Sequence, residues 1–183
     1  MNRYRIDAGR SRFTVQAFAA GLLSALGHSP TFSVREFGGE VRLGSTAHSL
    51  ELDLTVSPGS LDLQDHVKDA DRREIEARMW NEVLETTAFR EIAFHGRATW
   101  AETIGQGRYS LSIGGDLTLH GVAGPYQTAA ELIVFSDGLR LGGNDVLRMS
   151  DFGIRPVTAL GGTIKLKDEL RLTFDLAALP VPS

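Results

Sequence analysis

The 183-residue sequence contains no cysteine, and that absence removes disulfides, cysteine-ligated zinc, iron–sulfur clusters and thiol nucleophiles from consideration. It leaves the compartment open, because a cysteine-free protein is stable in any redox environment. Charge of one sign is also missing. Charged residues make up 23% of the chain with a formal net charge of -4. Lys and Arg are scattered singly among Asp and Glu, so no basic stripe is available to neutralise the phosphates of a nucleic acid. Long apolar runs are lacking as well. The longest near the N-terminus, residues 18–26, is too short to span a bilayer and is closed by Gly27 and Pro30. Residues 1–7 are polar and charged, without the apolar stretch and small-residue cleavage site of a secretory signal, which leads to the expectation of a soluble cytoplasmic protein. Lys167-Asp168-Glu169-Leu170 spells an ER-retention signal but lies inside the chain, where it is not read as one. No Pro/Ser-rich or charge-rich linker divides the sequence, so one domain over residues 1–179 is expected, followed by a short tail, 180–183.

What is present is period-2 alternation, which in a strand sends apolar side chains to one face and polar ones to the other. Leu50, Leu52, Leu54 and Val56 alternate with Ser49, Glu51, Asp53 and Thr55. Ile92, Phe94, Gly96, Ala98 and Trp100 alternate with Glu91, Ala93, His95, Arg97 and Thr99. Tyr109, Leu111, Ile113, Gly115, Leu117 and Leu119 do the same against mostly polar neighbours, and so do Leu170, Leu172, Phe174 and Leu176. Weaker strands fit residues 4–7, 12–20, 31–35, 39–43, 126–135 and 138–141, with Ser136-Asp137-Gly138 as a tight turn. Roughly eight or more short strands separated by turns predict an all-β antiparallel sandwich or barrel.

One segment changes period. From Asp71 the spacing is helical, with Ile75, Met79, Val83 and Leu84 on one face. Asp71 is expected to cap the helix, with Glu74 three residues on, and Glu74–Arg78 is a favourable i,i+4 pair. The spacing predicts one amphipathic helix over residues 71–84, its apolar face covering an open end or flank of the sheet.

An eight-stranded barrel either just fills its interior or leaves room for one small ligand, and residue size on the inward parity decides which. With the apolar parity inward, Ala17 and Ala19 follow Phe13 and Val15, Gly96 and Ala98 sit between Phe94 and Trp100, and Gly115 lies between Ile113 and Leu117. Small residues at the middle of three strands suit a cavity. They equally suit tight bends whose gaps large neighbours fill. On the cavity reading the candidate ligand-contacting residues are Phe13, Val15, Ala17, His28, Phe94, Gly96, Ala98, Trp100, Ile113, Gly115, Leu117 and Phe152, with His28 either at the mouth as a polar contact for a ligand's head or simply a capped loop histidine.

Dedicated chemistry is hard to find. His95 falls on the polar parity of its strand, His120 lies at a turn and His48 at a strand start, which makes all three surface residues. His66 stands among Asp62, Asp65, Asp69 and Asp71, but the spacing matches neither a calcium loop nor a His-x-x-x-His pair, and an acidic approach to a helix N-terminus accounts for it. There is no nucleophile elbow, P-loop or G-x-G-x-x-G, and Gly142-Gly143 and Gly161-Gly162 lack the helix a phosphate loop requires. No catalytic residue, metal or cofactor is expected.

Four pieces, in order, carry a resemblance. Gly115-Asp116-Leu117-Thr118-Leu119-His120-Gly121-Val122-Ala123-Gly124-Pro125 resembles the strand-and-turn signature of the YceI-like family of polyisoprenoid-binding, lipocalin-like barrels. Tyr4-Arg5-Ile6-Asp7 followed by Ser11-Arg12-Phe13 is similar to that family's opening. Met149-Ser150-Asp151-Phe152-Gly153-Ile154 resembles its late D-F-G-I segment, and Leu166-Lys167-Asp168-Glu169-Leu170 its turn before the last strand. The middle departs from the pattern: Asp71-Arg72 is reversed, Met79-Trp80-Asn81 replaces an aromatic pair, and residues 87–94 lack the family's proline.

The resemblance implies an all-β, lipocalin-like antiparallel barrel of about eight strands with one main helix, holding an isoprenoid-like or fatty chain for transport without turnover. Two other functions stay open: an enzyme acting on such a ligand through His28 or the acidic cluster, and a filled barrel whose helix binds another protein. The expected partner is an apolar small molecule, with no nucleic acid and no membrane span. Exposed sheet edges and the covering helix leave a homodimer open.

Overall fold

Antiparallel pairing closes the alternating segments into a ring. The computed structural model describes residues 1–20, 29–155, 158–159 and 164–182. Its strands are β1 (Asn2–Ile6), β2 (Arg12–Ala20), β3 (Thr31–Val34), β4 (Phe37–Leu43), β5 (Glu51–Val56), β6 (Leu61–Leu63), β7 (Ile92–Gly105), β8 (Arg108–Leu119), β9 (Val122–Val134), β10 (Leu139–Arg148), β11 (Thr158–Ala159) and β12 (Ile164–Pro180). One principal helix, α1 (Asp69–Arg78), lies between β6 and β7.

Three pairs of short strands are single staves with a break. β1 and β2 are interrupted by a turn at Ala8–Arg10, where the Asp7 carboxylate accepts from the Gly9 N–H at 3.0 Å and the Ser11 hydroxyl donates to the Asp7 carbonyl at 2.6 Å. β5 and β6 break at Pro58–Ser60, where proline has no N–H for a ladder. β3 and β4 break at Arg35 and Glu36. The partners follow each break: β4 pairs with β1 and β5, and β3 pairs with β2 and β6. Counted as staves there are eight, each beside its neighbour in sequence, and β12 closes the ring by pairing with β10 on one side and with β2 and β1 on the other. Lys167–Leu170 is an irregularity within β12, where the register to β2 shifts between Leu166 and Leu170, and not a turn before it. Pro180, expected in the tail, still pairs with Tyr4, and the Val181 N–H reaches the Arg3 carbonyl at 2.9 Å.

Two ladders of the ring are incomplete among the described residues: β9 and β10 pair only from Leu139↔Val134 to Gly142↔Glu131, and β6 stands past the end of β7. β5 pairs with β7 only from Glu51↔Arg97 to Val56↔Ile92, so among the described residues β6 has a strand on one side alone. Helix α1 lies along its free edge. The Arg72 guanidinium donates to the carbonyls of Leu63 and Asp65, the latter at 2.9 Å, and the Glu76 carboxylate accepts from the Leu63 N–H at 3.1 Å. Two helix side chains thus satisfy backbone groups that a ninth strand would otherwise take. The helix starts two residues earlier than expected. Its cap is Lys68, without a side-chain bond, so Asp71 is not the cap but one of two acids in the first turn, where the helix dipole favours them. The Glu74–Arg78 pair forms at 2.9 Å. Beyond Arg78 the chain continues as a π-turn, Met79–Val83, which carries Met79 inward to 7% exposure. No helix among the described residues is long and apolar enough to cross a membrane.

Met79 packs in a cluster with Phe32, Val34, Val56, Leu61 and Leu63. Met79→Asp should therefore lower unfolding free energy by about 3 kcal/mol or more, the scale of an unpaired charge among apolar neighbours, measured by urea denaturation. A change as small as an ordinary surface substitution would mean that this face does not carry the packing.

Candidate functional site: an apolar cavity under the helix

Inward residues fill one half of the barrel and leave the other half hollow. Away from the helix, Val41, Leu50, Ile113, Leu132 and Leu141 are fully buried and pack into a continuous core with Ile6, Leu111 and Leu176. On the helix side a cavity of about 540 Å³ remains. Phe13, Val15, Ala17 and Ala19 of β2 form its wall together with Phe32 and Val34 of β3, Leu52, Leu54 and Val56 of β5, and Leu170, Leu172 and Phe174 of β12. Ile75, Met79, Val83 and Leu84 cover it from the helix and the π-turn. Phe13, Val15, Leu54, Leu170, Leu172 and Phe174 point inward yet keep exposed surface, which is the mark of a void beside them. Among the described residues every lining side chain is apolar except Asp65, Asp71, Arg78, Tyr126 and Thr128.

Of the residues singled out by sequence, Phe13, Val15, Ala17, Phe94 and Leu117 line this cavity. Gly96, Ala98, Ile113, Gly115, Trp100 and Phe152 do not, and the causes differ. Gly96 and Gly115 face each other across β7 and β8, and a Cβ on Gly96 would lie 2.5 Å from Phe94 Cζ. The room left by that glycine is occupied by the Phe94 ring, whose edge meets Tyr126 at 5.8 Å between centroids. A Cβ on Gly115 would fall 2.0 Å from the His95 carbonyl oxygen, so this glycine permits close backbone approach. Ile113 and its ladder partner Ala98 lie one row deeper, with Ile113 in the packed half. Phe152 sits in the turn Met149–Phe152, buried in the same core, while Met149 and Ile154 on either side of it reach the cavity.

Trp100 is turned outward by a bulge. Ala98 pairs with Ile113 and Trp100 with Ser112, so one residue, Thr99, is extra, and the side-chain alternation inverts beyond it. Trp100 is 48% exposed, while Ala101 packs against the core. His28 lies outside the described residues. The lining residues that sequence reasoning missed include Phe32, Val34, Leu61, Leu63 and the start of β12, where the strands are short or irregular, and Leu52, Leu54 and Val56 of β5 and Tyr126 and Thr128 of β9, where alternation gives the inward face but not the depth.

Three of the five polar lining residues are firmly engaged. Thr31 N–H donates to Asp65 at 2.8 Å, Arg78 pairs with Glu74, and the Tyr126 hydroxyl donates to Asp145 Oδ2 at 2.8 Å. Burial, then the Asp145 carboxylate, holds the Tyr126 phenol well above its ordinary value. Asp62 pairs with Arg35 and stands near Arg72, which accounts for part of the acidic run. His95 Nδ1 meets Asp53 at 2.8 Å on the outer face, a contact that, with Arg42, holds the Asp53 carboxyl below its ordinary range against the opposing effect of burial. His48 and His66 are exposed. His120, expected at the surface, is largely covered: its side chain is 14% exposed, stacked on Phe89 at 4.2 Å and bonded to Glu85 at 2.7 Å. None of these four histidines lines the cavity.

A closed antiparallel barrel of eight staves, half packed and half hollow under one helix, defines the lipocalin-like class of barrels. Within it the chain belongs to the YceI-like domain family, whose pattern matches residues 4–178. Solved structures agree in fold. BcnA of Burkholderia cenocepacia has a TM-score of 0.70 at 14% identity, with 94% of this chain and 98% of that one covered. A polyisoprenoid binding domain from Saccharophagus degradans, implicated in plant cell wall breakdown, has a TM-score of 0.70 at 14% identity, with 99% and 100% covered. The YceI protein of Campylobacter jejuni has a TM-score of 0.61 at 14% identity, with 82% and 84% covered. Among curated proteins none matches the chain.

Two outcomes follow from this geometry. Gly115→Ala should destabilise by roughly 1–3 kcal/mol, because the new methyl meets backbone and not space, and a chemical melt reads the loss. Tyr126 has a folded value raised above the unfolded one, so its contribution is fully present below the unfolded value of about 10 and is lost as pH rises beyond it. Unfolding free energy should fall above that pH in the wild type and less steeply in Tyr126→Phe.

Proposed function

We infer that the chain holds one long apolar or amphiphilic molecule, isoprenoid-like or fatty, in the cavity and carries it without turnover. The observation that bears most weight is the cavity itself: about 540 Å³, walled almost wholly by apolar side chains and roofed by Ile75 of α1 with Met79, Val83 and Leu84 from the π-turn and its end. That volume falls inside the roughly 300–1,000 Å³ common for small-molecule sites. The family membership and the likeness to the polyisoprenoid binding domain of Saccharophagus degradans support the ligand class. Absence of turnover is favoured by the state of the nearby polar groups, since Tyr126, Asp65 and Arg78, three of the five, are already paired and no described histidine reaches the cavity.

Solvent extraction of the purified protein followed by mass spectrometry should recover a retained apolar molecule. Ala17→Phe, placed in the wall, should weaken binding of a fluorescent fatty probe by about tenfold or more, equivalent to roughly 1.4 kcal/mol, while thermal stability is kept or rises as the void is filled. A wild-type protein that retains nothing and binds no apolar probe would sink the reading.

A further inference from the structure

The polar groups of the cavity form two sets. Asp65, Asp71 and Arg78 belong to α1 and the segment leading into it; Tyr126 and Thr128 belong to β9. The second pair stands two residues apart on the inward face, in the ladder rows of Gly115 and Ile113, where the hollow meets the packed half of the barrel. This is the cavity's floor.

Hydrogen-bond capacity at the floor is tilted towards acceptance. Tyr126 has spent its proton on Asp145 Oδ2 at 2.8 Å, so its oxygen is left to accept. The other oxygen of Asp145 accepts from the Val146 N–H at 2.7 Å. Thr128 is 6% exposed, and among the described residues its hydroxyl reaches only the Ala129 carbonyl at 3.3 Å, long for an O–H donor, with both lone pairs free of them. A buried hydroxyl so weakly engaged stays in an otherwise apolar wall at a cost unless something else bonds it. The Tyr126 oxygen can only accept and the Thr128 hydroxyl can accept and donate, which matches a neutral hydroxyl, while the Asp145 carboxylate behind Tyr126 repels an anion. Arg78, the one cation lining the cavity among the described residues, is held by Glu74 at 2.9 Å and belongs to the other set.

We propose that the ligand enters head first and that its head is an uncharged hydroxyl, taken by Tyr126 and Thr128. The class of ligand is then a long-chain or isoprenoid alcohol, not the corresponding carboxylate or phosphate ester. The proposal rests on the carrier reading above and gives it a direction of insertion and a head-group rule.

The test is displacement of a bound fluorescent apolar probe by hexadecanol, hexadecanoate and hexadecane, which share a chain and differ at the head. Hexadecanol should bind about fivefold or more tighter than either of the others, the scale of one or two buried hydrogen bonds. Thr128→Val, which keeps shape, and Tyr126→Phe should each bring hexadecanol down towards hexadecane without changing hexadecane itself, and Thr128→Ser should keep the preference. Nuclear Overhauser contacts should run from the hydroxyl-bearing methylene of hexadecanol to the Thr128 methyl. Hexadecanoate binding as tightly as hexadecanol, an alcohol preference untouched by Thr128→Val, or contacts to Thr128 from the chain's terminal methyl would each overturn the inference and leave the carrier reading standing. Failure of all three ligands and of the probe to bind would remove both.

Discussion

Three hydrogen bonds that tie Arg72 and Glu76 to the backbone of Leu63 and Asp65, at the free edge of β6 and just past it, hold the arrangement on which the cavity depends. An antiparallel ring of eight staves must satisfy every edge, and here one edge runs past the end of its neighbour. A further strand in that position would bring another row of side chains to the interior. A helix brings its backbone already satisfied, and two of its polar side chains serve the edge while its apolar face stands off from the opposite wall. The hollow follows from that substitution.

The two halves of the barrel show the same alternation put to different ends. In the packed half, inward residues from all around the ring meet at the axis, with Leu50, Ile113, Leu132 and Leu141 excluding solvent completely. Towards the helix the broken staves and the helix widen the enclosure, and side chains of similar size no longer meet. Phe94 and Tyr126, edge to face, mark the boundary. Such a boundary is a wall of rings and not of backbone, so the floor of the cavity is made from the same close-packed material as the core beneath it.

Most of the strands were legible because inward and outward residues differ in polarity over several consecutive positions, as in β5, β8 and the later part of β12. The helix was legible from Ile75, Met79 and Val83. The rest was hidden for identifiable reasons. β6 has three residues, too few for a period, and the middle of β10 passes through Gly142-Gly143-Asn144, which carry no polarity signal although they pair with β12 throughout. The bulge at Thr99 changes no composition, yet it inverts the parity on which Trp100 was assigned inward. Gly96 and Gly115 were ambiguous in kind: a glycine in a strand marks either space or closeness, and only the positions of Phe94 and the His95 carbonyl separate the two. Which level of the barrel is hollow depends on how deep each strand sits, and alternation says nothing of depth.

The bulge also leaves the protein with two indoles in opposite surroundings. Trp100 stands in water on the outer face of β7, whereas Trp80 lies in the π-turn, packed against the cluster that borders the cavity, with its indole nitrogen shielded from solvent. The blue-shifted part of the intrinsic emission therefore belongs to the roof over the hollow, and the red-shifted part is a constant background from the far side of the sheet. The fold thus carries its own optical readout of the roof, one that needs no attached dye.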